Sequence, residues 1–321
     1  MAAANAVYYA SHDPFADFTT APEITQAFGE VLGAWLAVMW QDMGRPDPVL
    51  LAEAGPGRGT LMADARRAIG QVAPDLRRAL RLHLIETSRR LRAAQAKRLA
   101  DAAWHNSLAD LPDGPLLLLA NEFLDALPIR QFVRRGAGWT ERHVRDGRLV
   151  ELPAAGPPPS DPRRDACESA VVEICPPAVE LAQALGARLA GQGGAALFLD
   201  YGPERSAPGE SLQALRGGRP ADPLAAPGEA DLTAHVDFQT FAAAARAGGA
   251  AVHGPLPQGV FLTRLGLLQR TDRLARTQPP RRALALIEAA RRLVEPDRMG
   301  RLFKAVAVCH PRLGPPPGFA E

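Results

Sequence analysis

The stretch VLLAEAGPGRGTLMADA, Val49 to Ala65, constrains the architecture more than any other part of the chain. An apolar run ends in Glu53, three glycines follow at alternate positions, and a helix-like run begins at Thr60. Gly55, Gly57 and Gly59 let main chain turn tightly and approach a ligand where a side chain would collide with it. The runs LRLHLIE, PLLLLANEF and AALFLDYG repeat the strand part of this unit, separated by helical segments from Thr60 to about Ala73, Ser88 to about Ala103 and Pro177 to Ala190. Short apolar runs of this kind are buried on both faces and read as parallel strands. The expected fold class is therefore α/β, a Rossmann-like, mostly parallel doubly wound sheet.

Composition narrows the function. The 321 residues are 47% hydrophobic, enough for a large core, and 37 basic against 35 acidic side chains leave a formal charge of +2. That balance lacks the one-signed field of a nucleic-acid or membrane-surface binder, so no nucleic-acid partner is expected. Cys167, Cys175 and Cys309 are scattered, without the close pairs of zinc or redox motifs. Free thiols, no metal and a reducing compartment follow. MAAANAVYYASHDPF lacks the basic head and apolar stretch of a secretory signal, and no segment is long enough to cross a bilayer. The expected location is cytoplasmic, and a homodimer stays open.

Residues 1–44 read as an N-terminal lid and packing helix. Thr20 and Glu23 stand at capping-box spacing with Pro22 in the first turn, and Ile24, Phe28, Val31, Leu32, Trp35, Leu36 and Met39 form one helical stripe. Residues 45–321 read as the core, interrupted twice. RQFVRRGAGWTERHVRDGRLVELP suggests two or three antiparallel strands in an insert of about 130–175, which also holds the proline-rich AAGPPPSDPRR. The segment of about 202–237 has little periodicity and reads as a lid-like loop. A helix from about Phe238 to Ala247, a strand near Ala250 and a final helix and strand ending LFKAVAVCH close the chain.

Three ligand classes use glycine turns. A P-loop needs a lysine after its last glycine, and Gly59 is followed by Thr60. A dinucleotide fingerprint needs glycine where Thr60 stands, which makes NAD or FAD the runner-up. The pattern ExGxGxG fits the S-adenosylmethionine turn of class I methyltransferases. Glu86, at the end of the second strand, suits the two ribose hydroxyls of an adenosyl ligand. Its competing reading is a cap on the following helix. Glu53 would face the ammonium of such a ligand; its competing reading is a strand-end residue bonded to turn amides. Thr87, beside Glu86, Asn106, at the exit of the third strand where an adenine would lie, and Asn121 complete the expected cofactor set.

The runs DFTTAPEITQAFGE, AEAGPGRGTLMADA, HLIETS, ANEFLDALPIRQF, LFLDYG, PGEADLTAHVDF and MGRLFKAVAV together resemble the MidA family of methyltransferases, from Tyr8 to Phe319. That family includes the mitochondrial complex I assembly-factor arginine methyltransferase. The resemblance implies a class I methyltransferase fold, S-adenosyl-L-methionine as donor and, as for the mitochondrial member, an arginine of a complex I subunit as acceptor. Family members carry a further N-terminal segment and a glycine-rich insert before DFTT; here the chain reads DPFADFTT, so either a truncated start or a shorter lid is expected.

An arginine acceptor arrives protonated and needs carboxylates to localise its charge and orient the reacting nitrogen. Glu122, just past the fourth strand at the carboxyl edge of the sheet, is the expected catalytic residue. Asp125 could assist, and His235 in DLTAHVDF could line the acceptor channel or act on the departing proton. For Asp125 and His235 a purely structural role competes. The alternative functions are an assembly scaffold that retains the cofactor pocket and a small-molecule methyltransferase.

Overall fold

The computed structural model describes residues 1–12, 19–156 and 167–320. Most of DPFADFTT and of the proline-rich connection lie outside them. The chain opens with helices α1 (Ala2–Ser11), α2 (Ala21–Ile24) and α3 (Gln26–Asp42). The single helix expected from Thr20 is broken at Thr25, which is extended and whose hydroxyl accepts from the Ala27 N–H as the cap of α3. The Thr20–Glu23 capping box does not form; the Glu23 carboxylate accepts instead from the Thr60 hydroxyl at 2.6 Å.

The core then follows as β1 (Val49–Ala54), α4 (Thr60–Val72), α5 (Pro74–Ala79), β2 (Leu80–Ile85), α6 (Arg89–Ala96), β3 (Ala103–His105) and β4 (Leu116–Asn121). An insert of β5 (Arg130–Arg135), β6 (Gly138–Arg145), β7 (Arg148–Pro153) and β8 (Val171–Ile174) forms a four-stranded antiparallel sheet. After α7 (Pro176–Gln192) and β9 (Gly194–Tyr201), a second insert of β10 (Gln213–Arg216), β11 (Arg219–Ala221) and β12 (Asp231–Thr233) makes a three-stranded sheet. The 202–237 segment is thus not a structureless loop. The chain ends with α8 (Phe238–Ala247), β13 (Ala251–Pro257), α9 (Gln258–Arg264), α10 (Leu267–Ala275), α11 (Pro280–Val294) and β14 (Phe303–Cys309). Three helices stand where one was expected, because Gly266 and Pro280 each start a new helix.

The main sheet runs β13-β14-β9-β4-β1-β2-β3, parallel from β9 through β3, with β14 antiparallel to both its neighbours. Every residue of β1, β4, β9 and β14 is buried. Alternation of side chains splits them between two cores. Leu51, Leu117, Leu119 and Leu197 pack with α3, α4 and the C-terminal helices; Leu50, Leu116, Leu118 and Phe198 pack with α7 and α8. Gly33 lets α3 lie directly on α4, since a Cβ there would fall 2.4 Å from the Ala65 carbonyl oxygen.

Strand order reverses between β1 and β4: the chain runs from β1 outward to β3, then returns to β4 and continues to β9 on the other side. Such a switch point leaves a crevice at the carboxyl ends of the strands. The register places Ala54 beside Ile85 and Ala120, so the residues that follow β1, β2 and β4 emerge at one edge.

Candidate functional site

A cavity of about 1030 Å³ opens at this edge, lined among others by Glu53, Gly55, Gly57, Glu86, Thr87, Asn106, Asn121 and Glu122. Gly55 and Gly57 take left-handed φ of 66° and 52°. A Cβ on Gly55 would meet the Phe123 ring at 2.9 Å. Gly59 does not line the cavity. It caps α4 with φ 76°, and a Cβ there would face Leu99 and Gln95, on the far side of the turn. Its glycine serves the turn, not ligand approach.

Glu53 is only 2% exposed. Its carboxylate accepts from the backbone N–H of Met62 in the first turn of α4, while Oε2 has no partner. Burial pushes its pKa from 4.5 to about 8. Asn121 is in the same position: Nδ2 donates to Glu122 Oε1 at 3.0 Å, and Oδ1 has no partner. Two buried acceptors lining one cavity thus lack donors, an arrangement that costs free energy unless a ligand or water supplies them.

Glu86 lines the cavity and does not cap the next helix: Ser88 does, its hydroxyl accepting from the Leu91 N–H. Glu86 Oε1 accepts from the Ser88 N–H at 2.8 Å and Oε2 from Gln95 Nε2 at 3.3 Å. Burial raises its pKa above the ordinary carboxylate value. Gln95 Nε2 also donates to the Gly57 carbonyl at 2.8 Å, and Arg92 Nη2 reaches Asn106 Oδ1 at 2.8 Å. Thr87 and Asn106 are exposed at the mouth.

Glu122 sits at φ 51°, with Oε1 accepting from the Ala21 N–H at the start of α2, 3.1 Å away. Burial, and next the negative Asp125, raise its pKa to about 7. Asp125 lies outside the cavity. The turn after Glu122 wraps around Asp200 and leaves Asp125 behind the cavity wall, 6% exposed and bonded to Tyr201, near enough for its charge to act on Glu122 and Tyr9. His235 is also elsewhere: it lines a separate cavity of about 230 Å³ with Leu124, Cys175, Val236 and Phe241. The inserted sheet carries it there, with its N–H on the Ser211 hydroxyl and its ring edge-on to Tyr201. Among the described residues no group of His, Cys, Asp and Glu could hold a metal ion, and no helix is long and apolar enough to cross a membrane.

Within the N-terminal lid expected of residues 1–44, two residues that line the cavity were not singled out. Asn5 and Tyr9, one turn apart on α1, line the cavity. Asn5 Nδ2 donates to the carbonyls of Ala126 and Leu232, Asn5 Oδ1 accepts from the Leu232 N–H, and the Tyr9 hydroxyl donates to Asp231 at 2.7 Å. Their i, i+4 spacing was the only available signal. Arg58 and Arg90 also line the cavity and were not singled out.

Residues 31–256 match the family described as "Putative S-adenosyl-L-methionine-dependent methyltransferase". The mouse mitochondrial protein arginine methyltransferase NDUFAF7 is 35% identical over 343 residues, covering 95% of this chain and 78% of that protein. Its human counterpart is 34% identical, covering 92% and 74%. A Burkholderia thailandensis protein, described as a likely methyl transferase and solved with S-adenosyl-homocysteine, superposes with TM-score 0.79 at 26% identity over 95% of this chain and 82% of its own. The expectation of a cytoplasmic protein is overturned, because these curated relatives are named as mitochondrial. Scattered free cysteines do not single out one compartment.

Proposed function

The chain belongs to the family of S-adenosyl-L-methionine-dependent methyltransferases, and from that premise we propose that it methylates an arginine side chain of a protein, a subunit of respiratory complex I, and so aids assembly of that complex. The names of its relatives support the arginine acceptor. The observation that carries the reading is a half-buried carboxylate, Glu122, in the same cavity as the glycine turn and Glu86.

S-adenosylmethionine, when bound, supplies a methyl group already activated by a positive sulfur, so alignment and exclusion of water are the main tasks left to the protein. The main chain at Gly55 and Gly57 leaves room for close approach. Glu86 is suited to accept from two ribose hydroxyls, and the orphaned Glu53 Oε2 and Asn121 Oδ1 to accept from an ammonium. Helix α1 roofs the cavity and restricts water. Glu122, once ionised, pairs with the acceptor guanidinium, localises its charge and orients the nitrogen to be methylated. Its pKa of about 7 also suits it to take up the proton that this nitrogen loses.

Tritiated donor incubated with membrane and soluble protein of the source cell tests the reading. Label should enter a protein band and fall by about 10²-fold with Glu122→Gln, while affinity for S-adenosyl-homocysteine is kept. Tight cofactor binding without transfer into any protein overturns it.

A further inference from the structure

Glu122 reaches the cavity from a left-handed backbone conformation, φ 51°, that side chains other than glycine rarely adopt. Such a conformation persists only where the surroundings over-determine it. Here they do so through one carboxylate. The β4–β9 ladder ends with the Glu122 N–H on the Leu199 carbonyl at 2.8 Å. The next three amides, of Phe123, Leu124 and Asp125, converge on Asp200 Oδ2 at 3.0, 2.8 and 3.3 Å. Asp200 Oδ1 in turn accepts from the Tyr201 N–H at 2.9 Å. Successive N–H groups of this kind form an anion-binding nest, and the anion they hold is the chain's own.

Asp200 is 1% exposed at the end of β9 and does not line the cavity. It therefore acts on the site through what it holds. We propose that Asp200 is a positioning residue for Glu122: by gathering three consecutive amides it fixes the turn that presents the Glu122 carboxylate to the acceptor. This rests on the reading that Glu122 meets the acceptor arginine. Burial, with the Glu122 charge, pushes the Asp200 pKa up to about 7, and it is the ionised form that holds the three amides most firmly, its charge-assisted bonds being roughly twice as strong as those of a neutral acceptor.

The test compares Asp200→Ala and Asp200→Asn, each alone and combined with Glu122→Gln. Tritiated methyl transfer into source-cell protein is measured beside calorimetric affinity for S-adenosyl-homocysteine, thermal melting and crystal structures of the variants. Loss of the anchor should misplace Glu122 and lower transfer by about 10²-fold, the cost of a displacement of about 1 Å. Cofactor affinity should fall by far less than transfer, since Asp200 does not itself line the cavity and reaches the cofactor side only through the amide of Phe123. In the Glu122→Gln background neither substitution should lower the residual transfer further, and in crystals of Asp200→Ala Glu122 should leave the left-handed region. Transfer that is retained, a loss of equal factor in both backgrounds, a parallel loss of cofactor affinity, or an unchanged Glu122 backbone each overturns the proposal. Should the alanine variant fail to fold, the asparagine variant, of nearly identical shape, decides. Full transfer by Glu122→Gln alone overturns the functional reading instead, which keeps the two failures apart.

Discussion

Gln95 Nε2 donates to the carbonyl of Gly57 at 2.8 Å, so a fully buried amide on α6 holds the glycine turn that follows β1. The same nitrogen lies 3.3 Å from Glu86 Oε2, and Gln95 Oε1 accepts from Trp104 Nε1 at 2.8 Å. One side chain therefore sets the distance between the bare main chain and the carboxylate opposite. Gln95→Leu nearly preserves volume but strips partners from the Trp104 N–H and the Gly57 carbonyl, which should lower stability by about 1–3 kcal/mol. Affinity for S-adenosyl-homocysteine should fall by about tenfold, or about 1.4 kcal/mol. Urea unfolding and calorimetry measure the two effects. Unaltered affinity would mean that the turn and Glu86 do not serve one ligand.

Glu53 makes the site pH-dependent in a direction that can be worked out. Its folded-state pKa of about 8 exceeds the ordinary 4.5, so the folded chain holds the proton more tightly than the unfolded one. The stability that this contributes is fully present below pH 4.5 and is lost as pH rises through about 8. Glu53→Gln should therefore melt higher than the parent at pH 8 and above, with the gap closing towards pH 5. An ammonium placed against Oε2 favours the ionised form, so parent affinity for S-adenosyl-homocysteine should tighten as pH rises towards 8, by up to about tenfold per unit. That slope should be absent from the glutamine variant; a slope shared by both proteins would assign it to another group.

For Glu122, desolvation and the Asp125 charge place the pKa at about 7. Only the ionised form can pair with a guanidinium, whose own proton stays on throughout this range. Methyl transfer at saturating donor should thus rise with pH on the acid side and level off above about 7. With Glu122→Gln the residual rate, lower by about 10²-fold, should lose this inflection. An unshifted acid limb in the variant would remove Glu122 from the chemistry.

What was legible in the sequence follows from what each feature depends on. β1, β4 and β9 are buried on both faces and announce themselves as unbroken apolar runs, and the glycine turn with Glu86 one helix later places the cavity. Asp125 was misplaced because the direction of a residue four past the end of a strand depends on the turn between, here the left-handed turn at Glu122. His235 was misplaced because its position depends on how the β10–β12 insert packs, and no local periodicity encodes that. Asn5 and Tyr9 were missed for a related reason: α1 finds its place through bonds to Ala126, Leu232 and Asp231, far away in sequence.

The second cavity gives a contrasting expectation. His235 has its backbone N–H on Ser211 and its ring against Tyr201, and burial lowers its pKa below the ordinary 6.5. Separated from the main cavity, His235→Ala should change S-adenosyl-homocysteine affinity and methyl transfer by less than about threefold, as expected of independent sites. A loss of transfer comparable to that of Glu122→Gln would join the two cavities into one acceptor path.

Where the donor sits decides every role assigned above, and a crystal structure of the protein with S-adenosyl-homocysteine reads that directly. Its ribose hydroxyls should lie within hydrogen-bond distance of Glu86, about 2.5–3.0 Å, and its ammonium against Glu53 Oε2 and Asn121 Oδ1, with main chain from Gly55 to Gly57 alongside. Density for the compound elsewhere in the molecule, or an orientation that leaves both orphaned oxygens without donors, would contradict it.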